Sequence, residues 1–293
     1  MERKKNHKFV QQTMLLWPAV LLMLIFFVFP IILTFVYSFT NLALTGSAAK
    51  NVKFIGASNY IKMFRNKDVW ASIRATLIFL AGSVAGQQFM GFVIAYLMKG
   101  RKTWFRRIIG PCILAGWVIP ELVAAMGMTV FFGYNGTLNK ILGVLFSAAR
   151  VEWLYRHAML CVIVANIWHG TAFSMLMYQA ALDSVPYDME EAARIDGASL
   201  LQIIRYITVP YIKDTISTCL MLNTLSTLGV YTLIYTMTGG GPNMNTMTLP
   251  IYMYRQAFVG YQLGYGTALS LILLVIGIVF SVLYTRLCKD QIQ

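Results

Sequence analysis

The sequence predicts an all-α, polytopic membrane protein with about six transmembrane helices. Of its 293 residues, 58% are hydrophobic and 12% are charged, and the mean hydropathy is +0.65. A typical soluble domain carries about 25% charged residues, so this chain is too apolar for an ordinary water-exposed surface. A spanning helix needs about 20 mostly apolar residues, and runs of that kind occur at 15–39, 73–98, 108–132, 158–182, 211–237 and 264–287.

The first apolar run follows a basic amino-terminal segment, residues 1–14. A secretory signal peptide has an apolar region of about 7–15 residues and a small-residue cleavage site. The run 15–39 is longer and no such site closes it, so we expect a retained first helix. Lysine and arginine beside a span favour the cytoplasmic side. A six-span model places 14 Lys and Arg on the side of the amino terminus and 10 on the other side, so charge alone does not settle the orientation.

A hydrophilic segment at about 184–210 separates the fourth and fifth runs. Six of the chain's 11 acidic residues lie in or beside it: Asp183, Asp188, Glu190, Glu191, Asp196 and Asp214. Ser184 is a candidate helix cap and Pro186 suits a first helical turn, which predicts a short helix to about Ile195. This charged surface indicates that a partner in the aqueous phase binds here.

A second short helix is predicted directly after the first. Gly197 can adopt the left-handed conformation that ends a helix. Ser199, with Gln202 three residues later, has the capping-box pattern that starts one. The segment is therefore expected to form a helix-turn-helix across the end of the membrane bundle.

This segment resembles the "EAA" loop of permease subunits in binding-protein-dependent ABC importers. Glu191-Ala192-Ala193 is followed after three residues by Gly197 and later by Val209-Pro210, with Val209 where the pattern usually has leucine. The resemblance implies that the loop docks into a cytoplasmic ATPase and transmits nucleotide-driven closure to the helices. The residues implied in this coupling are Glu190, Glu191, Ala192, Ala193, Asp196, Gly197 and Pro210.

The same resemblance implies the fold and the partners. It implies the type I ABC importer transmembrane-domain fold as one domain at 15–293, with a core at about 69–288. It further implies a second, different permease subunit, a dimer of ATPase subunits that binds ATP and Mg, an extracellular solute-binding protein and a sugar or sugar-like substrate. The expected location is a bacterial cell membrane. Both termini are expected in the cytoplasm, because the implied coupling loop falls on their side of the six-span model, where an ATPase could reach it.

A glycine-rich turn follows the fifth run. Thr238 precedes three glycines and Pro242, a composition that cannot continue a helix, so a sharp turn is expected at the outer surface. It resembles the Thr-x-Gly-Gly-Pro turn of sugar-type permeases that pair with a different permease. The matching residues are Gly240, Gly241 and Pro242, whereas Tyr231-Thr232 departs from the Phe-Asp pair usual in the preceding helix.

Polar residues inside the apolar runs are candidates for a substrate path. An ionisable group in a span costs roughly 2.5–3.5 kcal/mol on insertion scales, so it usually faces the bundle interior. The candidates are Glu121, Asn166, His169, Asn223 and Tyr231. For Glu121, an ion pair or a buried protonated acid is an equally good interpretation, and for the others an interhelical hydrogen bond is the commoner one.

Several functions find no support in the sequence. No Gly-x4-Gly-Lys-Ser/Thr run is present, so ATP must be bound by another subunit. No catalytic grouping occurs, and the three histidines and the four cysteines (Cys112, Cys161, Cys219 and Cys288) have no metal-ligand spacing. The net charge of +13 is scattered along membrane flanks, which favours anionic lipid over nucleic acid.

Two interpretations of function therefore remain. The first is a permease subunit of an ATP-driven importer for a sugar or oligosaccharide. The second is an ion-coupled secondary transporter, in which Glu121 would be a proton site and the acidic segment a plain connector.

Overall fold

A computed structural model describes residues 16–147 and 149–289, which are predominantly helical, with one isolated β-bridge between Thr40 and Phe54. The predicted basic segment 1–14 lies outside the described residues, as do Leu15, Ala148, residues 290–293 and the side chain of Cys288.

The helices follow one another along the chain with short connections. The first nine are α1 (Leu16–Ser38), α2 (Ser47–Lys50), α3 (Ser58–Arg65), α4 (Lys67–Met98), α5 (Thr103–Val118), α6 (Glu121–Phe132), α7 (Thr137–Phe146), α8 (Trp153–Arg156) and α9 (Ala158–Asp183). The remaining six are α10 (Tyr187–Ile195), α11 (residues 200–211, with a π-helical turn at Ile204–Thr208), α12 (Lys213–Leu228), α13 (Thr232–Thr238), α14 (Leu249–Tyr254, extended by a π-helical turn at Arg255–Val259) and α15 (Leu263–Lys289).

The described residues fall into two compact units. One contains residues 16–66 and Met253–Ile272, and the other contains Lys67–Tyr252 and residues 273–289. Within the first unit, the Asn59 side-chain amide donates to the backbone oxygens of Ser38 at 2.8 Å and Thr40 at 2.9 Å. This fixes α3 against the chain that leaves α1.

The predicted number of about six spans is confirmed. Four helices, α1, α4, α9 and α15, are each long and apolar enough to cross a membrane. Two bent helix pairs raise the number to six if each pair crosses as one broken span: the chain bends by 97° between Thr103–Val118 and Glu121–Phe146, and by 49° between α12 and α13. The runs predicted at 108–132 and 211–237 are therefore each interrupted.

Both interruptions have local causes. Ile119 is extended, with ψ of 130°, because it precedes Pro120, which cannot donate a backbone hydrogen bond and disfavours a helical residue before it. The second break begins at Gly229, which ends α12, and α13 starts three residues later. Hydropathy did not reveal this break, because the stretch 211–237 as a whole was predicted to be one apolar run.

The core of the larger unit is the contact between α4 and α9. Two glycines on α4 allow this close approach: a Cβ at Gly86 would lie 2.1 Å from an Ile167 side-chain carbon, and a Cβ at Gly91 would lie 2.4 Å from the Ser174 Cβ. Small residues at such contacts let transmembrane helices pack closely. Since α9 leads directly into α10, the hydrophilic segment is attached to the most tightly packed part of the unit.

Candidate functional site

The hydrophilic segment folds as the predicted helix-turn-helix. Helix α10 spans Tyr187–Ile195, in agreement with the predicted end. Its N-cap is Pro186, whereas Ser184 belongs to the end of α9, where its hydroxyl donates to the Ala181 oxygen at 2.7 Å. The prediction that Ser184 caps the new helix was therefore wrong, because that hydroxyl binds backward to the preceding helix.

The turn between the two short helices has the geometry that its sequence predicted. Gly197 adopts a φ of +82°, and its N–H donates to the Arg194 oxygen while the Ala198 N–H donates to the Ala193 oxygen at 2.9 Å. These two bonds form a Schellman motif. Helix α11 then starts with the predicted capping box, in which the Ser199 N–H donates to Gln202 Oε1 at 2.7 Å.

Most of the residues predicted to couple to an ATPase are exposed. Solvent reaches Glu191, Ala192, Asp196, Gly197 and Pro210, and Ala193 is half-buried. The same surface carries large apolar side chains. Ile195 is 82% exposed, and Tyr187 and Leu201 are exposed to a lesser degree. Exposed apolar groups beside charges are typical of a surface that another protein covers.

Glu190 differs from its neighbours because it is buried, with 4% of its surface exposed. Its Oε1 accepts from Lys99 Nζ at 2.6 Å and from the Thr208 hydroxyl at 3.0 Å. Both donors belong to this chain, so a partner could reach this carboxylate only by displacing them.

Four of the five candidate path residues line one interior cavity of about 470 Å³: Glu121, Asn166, His169 and Asn223. Tyr231 is not among its lining residues and stacks instead on Tyr235, with ring centroids 5.1 Å apart. The cavity lies where the broken spans meet α4 and α9, because helix breaks leave room and free backbone polar groups inside a bundle.

Two of these side chains bind backbone groups that the helix breaks set free. Glu121 Oε1 accepts from the Leu233 N–H at 3.2 Å, at the start of α13. His169 Nε2 lies 3.2 Å from the Ile119 backbone oxygen, at the end of α5. Each residue joins the broken end of one helix to another helix, so both have a structural role in this state.

The amides in the cavity are less fully bonded. Asn223 donates to the Ser174 hydroxyl at 2.7 Å, but the Asn166 amide nitrogen is buried and has no hydrogen-bond partner among the described residues. Sequence reasoning missed Gln87, which is also buried and donates to the Asn166 backbone oxygen at 2.9 Å. An adjacent glutamine pair, Gln87 and Gln88, inside a long apolar run was the available signal.

The glycine-rich turn is compact and internally bonded. Gly239 and Gly240 have φ of +61° and +90°, and a Cβ at Gly240 would lie 2.6 Å from a Met247 side-chain carbon. The Thr246 hydroxyl lies 2.7 Å from both the Thr238 hydroxyl and the Gly241 oxygen. Only glycine fits the position of Gly240 without displacing Met247.

The described part of the chain contains no candidate metal site. No group of three or more His, Cys, Asp or Glu side chains there could hold a metal ion, and Cys112, Cys161 and Cys219 are free thiols.

These features together define a class: a helical membrane transport protein with broken spans, an interior polar cavity and an exposed helix pair at one end. The family model described as "Binding-protein-dependent transport system inner membrane component" matches residues 87–291. This chain belongs to that family, so the resemblance drawn from its motifs is confirmed, and it is a transport protein and not an enzyme.

Curated relatives match nearly the whole chain. It is 28% identical over 276 residues to the trehalose/maltose transport system permease protein MalF of Thermococcus litoralis, covering 93% of this chain and 92% of that protein. It is 30% identical over 292 residues to the multiple sugar-binding transport system permease protein MsmF of Streptococcus mutans, covering 98% of each.

A solved structure confirms the type I importer fold. A chain in the crystal structure of a bacterial alginate ABC transporter, in complex with an alginate pentasaccharide-bound periplasmic protein, matches with a TM-score of 0.82 at 21% identity. The match covers 98% of this chain and 96% of that one. The fold is thus a permease fold, and the chain is a multi-pass membrane protein.

Proposed function

We propose that this chain is a permease subunit of an ATP-driven importer that takes up a sugar or sugar-like solute delivered by an extracellular binding protein. The observation that carries the proposal is the exposed helix α10, which follows a span directly and presents Glu191, Asp196 and Ile195 to a partner. A membrane component of a binding-protein-dependent system must receive its energy from another subunit, because this chain has no phosphate-binding loop.

The cytoplasmic partner in this proposal is a dimer of ABC ATPase subunits that binds ATP and Mg. The contact surface would comprise Glu191, Ala192, Asp196 and Gly197 on the helix-turn-helix, with Pro210 at the end of α11. This arrangement requires the segment 184–210, and with it both chain termini, to lie in the cytoplasm. A second, different permease subunit would complete the pathway, and residues 15–293 would act as one transmembrane domain.

A polyhydroxylated solute fits the interior cavity. Sugars are recognised by amide and hydroxyl groups that exchange hydrogen bonds with them and by aromatic rings that cover their apolar faces. The cavity is lined by Asn166, whose buried amide nitrogen has no partner among the described residues, and by Trp117 and Phe173, whose ring centroids lie 6.1 Å apart. The names of the relatives, which refer to trehalose, maltose and multiple sugars, support the same substrate class.

Uptake into proteoliposomes tests the proposal against the ion-coupled alternative. The reconstituted vesicles would contain the transporter together with its ATPase subunits and binding protein. We expect sugar accumulation to require ATP and to persist when a protonophore collapses the proton gradient. Accumulation without ATP that the protonophore abolishes would refute the proposal and support a secondary transporter.

A further inference from the structure

Two ion pairs join the residues at and beside the same two connections of the chain. One connection links α4 to α5, and the other links α9 to α10. Lys99 Nζ lies 2.6 Å from Glu190 Oε1, and the Arg106 guanidinium contacts the Asp183 carboxylate. We call these four residues the inner clasp.

The order of the pairs ties the two connections to each other at both ends. Lys99 directly follows α4 and Arg106 lies near the start of α5, whereas Asp183 ends α9 and Glu190 lies in the first turn of α10. The residue at the start of the first connection, Lys99, therefore pairs with the residue beyond the end of the second, Glu190. Arg106, beyond the end of the first connection, pairs with Asp183, just before the second. Both connections are therefore tied to each other at each end. Met98, Leu182 and Val185, which flank or lie in these connections, are also buried in one core cluster, and a cavity of about 690 Å³ opens beside the two pairs.

The two pairs differ in strength. Arg106 and Asp183 keep 28% and 41% of their side-chain surface exposed, and exposed ion pairs contribute little. The Glu190 side chain keeps 6% and that of Lys99 18%. Glu190 also accepts from the fully buried Thr208 on α11, so a single carboxylate holds α10, α11 and the end of α4 in one arrangement.

We infer that the inner clasp is a positioning device that makes α10 move as one body with the corner between α4 and α5. This inference rests on the proposed coupling to an ATPase. Displacement of α10 by the ATPase would then reach the fourth helix and the broken span α5–α6 through Lys99 and Arg106, in addition to the direct connection to α9. Glu190 acts through Lys99 and Thr208 and does not contact the ATPase, whereas its exposed neighbour Glu191 does.

The test compares Glu190→Gln with Glu191→Gln in the complete reconstituted transporter, measuring the number of sugar molecules taken up per ATP hydrolysed. We expect Glu190→Gln to lower this ratio severalfold while the ATPase subunits still copurify, because the substitution removes the charge that holds Lys99. Glu191→Gln, the matched control, should instead weaken copurification. The charge-swapped pair Lys99→Glu with Glu190→Lys should restore most of the ratio, which a purely structural defect would not do.

An unchanged ratio in Glu190→Gln would overturn the inference. If the Glu190→Gln protein does not accumulate in the membrane, Thr208→Val takes its place in the test, because it removes only one hydrogen bond to Glu190. It should lower uptake per ATP without loss of ATPase subunits, and an unchanged ratio would again overturn the inference. Failure of the proposed function would show differently, as uptake without ATP hydrolysis by the unsubstituted transporter.

Discussion

Glu190 and Glu191 are adjacent in the sequence but have opposite environments. One helical position turns a side chain by about 100°, since an α-helix has 3.6 residues per turn, so Glu190 faces Lys99 and Thr208 while Glu191 faces solvent. Breaking a fully buried ion pair costs about 3–5 kcal/mol. Loss of Lys99 should cost less, because its side chain remains partly solvated.

The polar side chains that line the interior cavity also differ in whether they are hydrogen-bonded. Glu121 accepts a backbone N–H that a helix break sets free, and a glutamine oxygen could accept the same bond. Asn166 has no partner for its amide nitrogen among the described residues. The first residue thus has a structural role in this state, whereas the second lines the cavity with a buried amide nitrogen that no described residue binds.

This division gives a prediction for uptake. Glu121→Gln should retain most uptake, because the bond to Leu233 survives and no proton has to be carried. Asn166→Leu should lower uptake severely, although the amide nitrogen that it removes bonds no other described residue. Initial uptake rates, normalised to the amount of inserted protein, check both variants.

The opposite pattern would contradict the cavity assignment. Complete loss of uptake in Glu121→Gln would point to a proton site and thus to an ion-coupled transporter. Normal uptake in Asn166→Leu would remove Asn166 from the substrate path.

At the scale of elements, the sequence predicted short helices more accurately than long ones. The end of α10 at Ile195, the left-handed Gly197 and the capping box of Ser199 were all predicted, because caps and turns depend on a few adjacent residues. The break after Gly229 was missed. The residues at this break line the interior cavity, and hydropathy along one helix does not report where such a cavity lies.

Substitutions of Gly197, in the turn between α10 and α11, test the proposed coupling role of this helix pair. An L-residue at its φ of +82° is strained, at roughly 1–2 kcal/mol, although the space around its Cβ is open. Gly197→Val should therefore abolish uptake while leaving membrane insertion intact, and Gly197→Asn should be milder because asparagine tolerates the left-handed conformation. Uptake and membrane abundance measured side by side check this.

Gly46 is a suitable control, because its φ is +79° and no atom lies within 4 Å of a Cβ placed there. Because ψ at Gly46 is −163°, a region that L-residues avoid, Gly46→Val carries at least as much backbone strain. It lies far from α10 in sequence and should retain uptake. Equal losses in Gly46→Val and Gly197→Val would assign the effect to general instability and not to coupling.

At the scale of the whole molecule, the fold and the transport class could be predicted from the sequence, whereas the internal contacts could not. Apolar runs and the spacing of Glu191, Gly197 and Pro210 are local patterns. The pairing of Lys99 with Glu190, and the convergence of Glu121, Asn166 and Asn223 on one cavity, join positions 45 to 102 residues apart. Only the packing of α4, α9 and the broken spans brings them together.

The central claim is that α10 is the contact through which an ATPase drives this bundle, and site-specific cross-linking tests it most directly. A photo-reactive residue at Ile195, which is 82% exposed, should capture the ATPase subunit in membranes that contain the complete transporter. The same probe at Phe54, which is 78% exposed and lies before the second span, should not. Capture of the ATPase from Phe54 and not from Ile195, or capture of an extracellular protein from Ile195, would contradict the account.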